Sequence, residues 1–283
     1  MTGVRWNGTV WLWAWLWLWF GCVVLRAGNA TAQDAQPGNP FAGVAQAYSV
    51  DINGERVWQQ NPHQRLPSAS LTKLMTALLV SEKLQPDTPV TVDQTAARET
   101  GSRLGLRLGE TFTADDLLGA TLVASANDAC RALANHIGGN QARFVQAMNL
   151  RARQLGLTNT RFANACGHDA PGHYASVEDI GRLARAAMQV ERIAHWVALA
   201  ESRITTINRQ RVYTFRTTNA LIGRYDGVLG VKTGTTPKAG NCLVALVRQG
   251  RHEVLLVMLK GRDRWWDAVD MFDIALARAN ARK

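Results

Sequence analysis

Ser70 and Lys73 stand three residues apart in "LPSASLTKLMTA", where an apolar helix begins. Side chains at i and i+3 share a helix face, so the Ser70 hydroxyl and the Lys73 amine can touch. A serine hydroxyl is a weak nucleophile until a base takes its proton. A lysine can be that base when desolvation or a second cation lowers its pKa. A helix N-terminus helps, because its positive end disfavours the ammonium and its free N–H groups can stabilise an oxyanion. S-x-x-K is short, however, and a chain of this length holds about one by chance.

Two companions give it weight. "ASANDA" supplies Ser125-Ala126-Asn127 and "VKTGTT" supplies Lys232-Thr233-Gly234, so S-x-x-K, S-x-N and K-T-G occur in that order. Together they describe a serine acyl-transfer site. In it Ser125 relays a proton to the leaving amine, with Lys73 and Lys232 on either side. Asn127 donates to the substrate amide carbonyl and holds Lys73. Lys232 offers positive charge to a substrate carboxylate, and Thr233 and Thr235 offer hydroxyls. Gly234 lets a substrate backbone lie close to its strand. The backbone N–H groups of Ser70 and Thr235 are the expected oxyanion donors.

The elements that must position these groups can be read from periodicity. "VAQAYSVDINGERVWQQNP" is two alternating runs around Asn53-Gly54, a hairpin signal. "SLTKLMTALLVSEKL" reads as a helix with Leu71, Leu74, Met75, Leu78 and Leu79 on one face. The pattern from about Val90 to Val190 is mostly helical. One stretch runs from a Thr113/Asp116 capping signal to Gly138-Gly139, and another is capped by Ser176. Strands return after about Ile204: "RITTINRQRVYTF" with a turn at 208–210, "GVLGVKTGTT", and a hairpin around Gln249-Gly250. "DRWWDAVDMFDIALARA" closes the chain as an amphipathic helix. Strands at both ends with helices between them predict an α+β fold: an antiparallel sheet flanked by terminal helices, with an inserted helical lobe.

The N-terminus is of another kind. It holds six of the ten tryptophans, with Arg5 ahead of an uncharged run from Val10 to Leu25 and an A-x-A pattern at Ala30-Thr31-Ala32. Residues 1–32 read as a secretory signal peptide, with an uncleaved anchor as the alternative. Residues 33–42 read as a Gly/Pro-rich linker. The net charge of +10 becomes +8 on removing Arg5 and Arg26, since residues 1–32 hold no acid. A basic exported protein suits acidic partners such as cell-wall polymers or anionic headgroups. Nucleic acid is not expected, because no Lys/Arg run interleaved with aromatics occurs. Cys130, Cys166 and Cys242 follow the leader. An odd number excludes a full disulfide framework; one pair could form, and buried core thiols are the preferred reading.

From about Ala45 to the C-terminus the chain resembles the low-molecular-mass penicillin-binding proteins of the D-alanyl-D-alanine carboxypeptidase family. "PSASLTKLMTALL", "ASANDACRALA" and "TTNALIGRYDGVLGVKTGTTPKAGNCLVA" carry the resemblance. It implies a β-lactamase/transpeptidase-like fold, with 43–283 as a serine D,D-peptidase domain. It also implies D-Ala-D-Ala carboxypeptidase action on peptidoglycan stem peptides through an acyl-enzyme on Ser70. β-Lactam antibiotics would acylate the same serine. No metal or organic cofactor is implied. Arg262, just after the last strand, is implied as a further carboxylate ligand. Export places the enzyme in the periplasm or on the outer face of the cytoplasmic membrane. Typical members continue into a β-rich domain and a membrane anchor. None is expected here, as in the short members that are D,D-endopeptidases.

Rival readings lack their residues. A class A β-lactamase should carry an ExxLN element between Ser125 and Lys232, and none occurs. His168 and His173 in "CGHDAPGH" have no second Cys pair and no HExxH, and read as loop and packing residues. Trp265-Trp266 reads as packing on the sheet, with peripheral membrane contact as the alternative.

Overall fold

The structure is a computed structural model, described here for residues 39–281. The expected leader, 1–32, and most of the expected linker, 33–42, lie outside the described residues. The chain opens with β1 (Ala45–Ile52) and β2 (Glu55–Gln60), joined by Asn53-Gly54. Both turn residues have positive φ, 50° and 89°, as a two-residue hairpin requires. A 3₁₀ turn, Ala69–Thr72, leads into α1 (Lys73–Lys83). Then come β3 (Pro89–Thr91), α2 (Gln94–Ala97), β4 (Thr111–Thr113), α3 (Ala114–Val123), α4 (Asn127–Gly138) and α5 (Gln141–Gln154). They are followed by α6 (Val177–Met188), α7 (Glu191–Val197), β5 (Glu201–Thr205) and β6 (Val212–Arg216). The chain ends with β7 (Val228–Thr236), β8 (Gly240–Gln249), β9 (His252–Gly261) and α8 (Arg264–Ala281).

The main sheet has the order β2-β1-β9-β8-β7, all antiparallel, so the two ends of the chain meet where β1 pairs with β9. Its central strands are buried on both faces. In β9, Val254, Leu256 and Met258 face α8, while Leu255, Val257 and Leu259 face the helical lobe. That explains the continuous apolar run "EVLLVML" in place of a strict alternation. The α8 helix covers one face with Ala268, Met271, Phe272 and Ala275. Of the two terminal helices expected, it alone falls within the described residues, which begin at Asn39. The β5–β6 hairpin forms a separate two-stranded sheet.

The predicted apolar face of α1 is there, but the helix is buried more fully than that face requires. Every residue from Lys73 to Val80 is buried. The helix runs through the middle of the lobe, which is why a lysine in its first turn loses its water. The helical stretch from Thr113 to Gly138 is two helices, broken at Ala124-Ser125-Ala126. Ser125 takes φ +58°, which no helix continues. Helix α7 follows the expected helical region as a further turn of helix before β5.

Two of the three cysteines depart from the core-thiol reading. Cys130 and Cys166 form a disulfide across 36 residues of sequence, because α4 and the segment after α5 meet over α1. Cys242 is a buried free thiol, and burial pushes its pKa up to about 11. Trp265 packs against the α8 core, whereas Trp266 is 72% exposed. No helix among the described residues is long and apolar enough to cross a membrane.

Candidate active site

Ser70 is half-buried in the 3₁₀ turn, and Lys73 is wholly buried at the start of α1. The Lys73 Nζ lies 3.0 Å from Ser70 Oγ, 2.7 Å from Asn127 Oδ1 and 2.5 Å from the Cys166 carbonyl oxygen. The Asn127 amide nitrogen donates to the Thr100 carbonyl at 2.6 Å, which turns its oxygen toward the lysine. Two of the three Lys73 partners can therefore only accept. A neutral amine directs its two N–H groups at them and its lone pair at the Ser70 hydroxyl. Burial pushes the Lys73 pKa down to about 7, against the opposing charges of Glu99 and Asp128.

The helix break between α3 and α4 presents Ser125 and Asn127 on the same side as Lys73. Lys232, from β7, is also wholly buried; its Nζ donates to Ser125 Oγ at 2.9 Å and to the Thr233 carbonyl at 3.0 Å. Burial drives its pKa well below the usual lysine value, helped by the charges of Lys73 and Arg264. The Asp128 carboxylate accepts backbone N–H bonds from Leu104, Gly105 and Leu106, which pins the 98–108 segment over Asn127.

The β7 strand closes the other side. A Cβ on Gly234 would lie 2.9 Å from the Ser70 nitrogen, so only glycine lets the strand approach the turn this closely. The Thr233 hydroxyl bonds the Thr218 hydroxyl at 2.6 Å, and Thr235 is exposed. The arginine bonded to this strand is Arg264, the first residue of α8, and the expected Arg262 lies elsewhere. Arg264 Nη1 donates to Thr235 Oγ1 at 2.8 Å and to the Gly234 carbonyl at 2.9 Å. Arg262 is exposed, and its guanidinium lies near Gly43. The reason is local. The β9 strand ends at Gly261, and the first residue of α8, which stacks on Trp265, is the one directed back at β7.

The 163–169 segment completes the site beneath Ser70. The Asn164 side-chain oxygen accepts from the N–H groups of Cys166, Gly167 and His168, curling the chain so that the Cys166 carbonyl meets Lys73. Gly167 (φ +90°) sits where a Cβ would be 2.0 Å from the Ala69 carbonyl. His168 bonds Glu99 at 2.9 Å. His173 Nδ1 accepts from the Ala163 N–H, so its Nε2–H donates to Thr72 at 2.8 Å. Burial holds its pKa near 4, and the ring is neutral. No cluster among the described residues could hold a metal ion. Both histidines position the loop.

The Ser70 and Ser125 hydroxyls and the two desolvated amines of Lys73 and Lys232 are thus brought together. A family described as "D-alanyl-D-alanine carboxypeptidase" matches residues 35–263. The chain belongs to this family. It is 34% identical over 233 residues to the D-alanyl-D-alanine carboxypeptidase DacF of Bacillus subtilis, covering 80% of this chain and 60% of that one. It is also 34% identical to a D-alanyl-D-alanine endopeptidase of Pseudomonas aeruginosa, covering 81% of this chain and 77% of that one. The solved Streptomyces K15 DD-transpeptidase superposes with a TM-score of 0.76 at 27% identity, covering 83% of this chain and 97% of that one. The chain spans 54–60% of the length of the first curated carboxypeptidases it matches.

Sequence reasoning missed the Cys166 carbonyl, Thr218, Gly167, Glu99 and Arg264. Only the last carried a visible signal, as a second arginine in "GRDRWW".

Proposed function

We propose that the chain is a serine-type D-Ala-D-Ala carboxypeptidase that trims peptidoglycan stem peptides. The observation that carries this reading is the 3.0 Å contact between Ser70 Oγ and the amine of a wholly buried lysine. Neutral Lys73 takes the Ser70 proton as Oγ attacks the carbonyl carbon of the D-Ala-D-Ala bond. The backbone N–H groups of Ser70 and Thr235 receive the developing oxyanion. Ser125, beside Lys232, passes a proton to the departing D-alanine amine. Thr233, Thr235, Lys232 and Arg264 bind the terminal carboxylate. Water then hydrolyses the Ser70 ester. A penicillin presents the same carbonyl and carboxylate and acylates Ser70.

Residues 1–32 serve as the export signal and 33–42 as the linker. They place the 43–283 domain in the periplasm or on the outer face of the cytoplasmic membrane. A second reading, D,D-endopeptidase action on cross-links, is favoured by the similarity to the Pseudomonas endopeptidase, most of whose length the chain spans.

Intact mass after a pulse of penicillin tests the proposal. A lasting adduct on Ser70 is expected. An adduct gone within seconds, with the penicillin hydrolysed, would indicate a β-lactamase. Absence of any adduct would overturn the reading. Muropeptide digests then separate loss of a terminal D-alanine from cleavage of cross-links.

A further inference from the structure

Two of the three acceptors around the Lys73 amine belong to the two segments that the disulfide joins. Asn127 lies one helical turn before Cys130 on α4, and Cys166 supplies its own carbonyl. The same loop passes Gly167 against the Ala69 carbonyl, next to Ser70. Thr76 on α1 donates to the Ala165 carbonyl at 2.6 Å, so the loop, α1 and α4 converge on the lysine. Both cysteines are buried.

We propose that the Cys130–Cys166 disulfide is a positioning element for Lys73, so that acylation of Ser70 is fast only in the oxidised protein. The inference rests on the serine-acylation reading above. The covalent link fixes the separation of the Asn127 oxygen and the Cys166 carbonyl, and these hold the amine with its lone pair toward Ser70. Without it, α4 and the loop are joined only by non-covalent contacts, and the amine has fewer constraints on its direction. A dithiol removes the link by exchange. Its thiolate attacks one cysteine sulfur, its second thiol resolves the mixed disulfide, and both cysteines leave as thiols while the dithiol closes to a cyclic disulfide. Disulfides persist in oxidising compartments, so the enzyme gains full competence after export.

The test compares the full chain refolded in dithiothreitol with the same chain oxidised. Thiol titration must show two additional free thiols in the reduced sample. The expected result is a drop of about tenfold or more in the rate of Ser70 acylation by penicillin. The acid limb of its pH profile should shift, and the rate should return on reoxidation. The double variants Cys130→Ala/Cys166→Ala and Cys130→Val/Cys166→Ala should be slow with or without dithiothreitol while remaining folded by circular dichroism. Reduced protein that is folded and acylates within about twofold of the oxidised rate, with an unshifted profile, would overturn the inference. If reduced protein and both variants are unfolded at the assay temperature, the disulfide is a general staple, and the positioning role is likewise overturned. Failure of the oxidised protein itself to label would overturn the underlying reading and this inference with it.

Discussion

Lys232 Nζ donates to Ser125 Oγ at 2.9 Å across 107 residues of sequence, joining a strand of the sheet to the break between two helices of the lobe. The amine is buried and has no carboxylate against it, so its presence costs stability. Lys232→Met keeps the length and removes the donor. Acylation by penicillin should slow by about 10²-fold or more, the scale of a lost proton-transfer partner. The unfolding temperature should hold or rise, since a desolvated amine with no counter-ion is gone and an apolar side chain of similar length replaces it. Stopped-flow acylation and thermal unfolding of the same variant check both halves.

The Lys73 pKa of about 7 sets a pH dependence. Only the neutral amine has a lone pair for the Ser70 proton. Below that pKa the ammonium form dominates, and the acylation rate should fall about tenfold per pH unit. Above it the rate should level off. Acylation rates measured between about pH 5 and pH 9 decide this; a flat profile would remove Lys73 as the base.

Arg264 and Arg262 are two residues apart and should behave differently. Arg264→Leu removes the guanidinium that contacts Thr235 and Gly234, and should weaken binding of carboxylate-bearing substrate by about 10-fold or more. Arg262→Leu alters an exposed side chain near Gly43 and should stay within about twofold. Steady-state kinetics on a D-Ala-D-Ala peptide, with KM and kcat separated, distinguishes them.

Legibility followed the kind of constraint each feature obeys. Ser70 and Lys73 are readable because a helical repeat places i and i+3 together whatever the tertiary fold. The strands of the sheet are readable because their apolar runs are long and end at turn residues such as Asn53-Gly54. The break at Ser125 is not, because "VASANDA" has nothing that forbids a helix; the positive φ goes with a long-range bond, the Asn127 N–H to the Ser102 carbonyl, that local sequence does not specify. The Cys166 carbonyl is a backbone group and leaves no mark in residue type. The Cys130–Cys166 pairing depends on α4 and the loop meeting in space, which spacing alone does not specify. That Arg264 and not Arg262 meets β7 is also not legible, because the boundary between β9 and α8 decides which arginine turns back to that strand.

Thr218 shares a 2.6 Å hydrogen bond with Thr233, and that bond orients the hydroxyl that the proposed mechanism directs at the substrate carboxylate. Thr218→Val keeps the shape and removes the bond. Loss of roughly 1 kcal/mol of orientation should raise KM by about threefold to tenfold with kcat little changed. Thr218→Ser should restore the wild-type value. A drop confined to kcat would assign Thr218 another role.

Gly167 and Gly223 both have positive φ, +90° and +74°, yet their surroundings differ. An alanine at 223 meets nothing within 4 Å and bears only the backbone strain, about 1–2 kcal/mol. An alanine at 167 adds a methyl 2.0 Å from the Ala69 carbonyl, so the turn bearing Ser70 must move. Gly167→Ala should therefore cost more than about 3 kcal/mol in urea unfolding. It should also slow Ser70 acylation beyond any effect of Gly223→Ala. Equal stability losses in the two variants, with unchanged acylation in both, would mean that the loop does not set the position of the nucleophile.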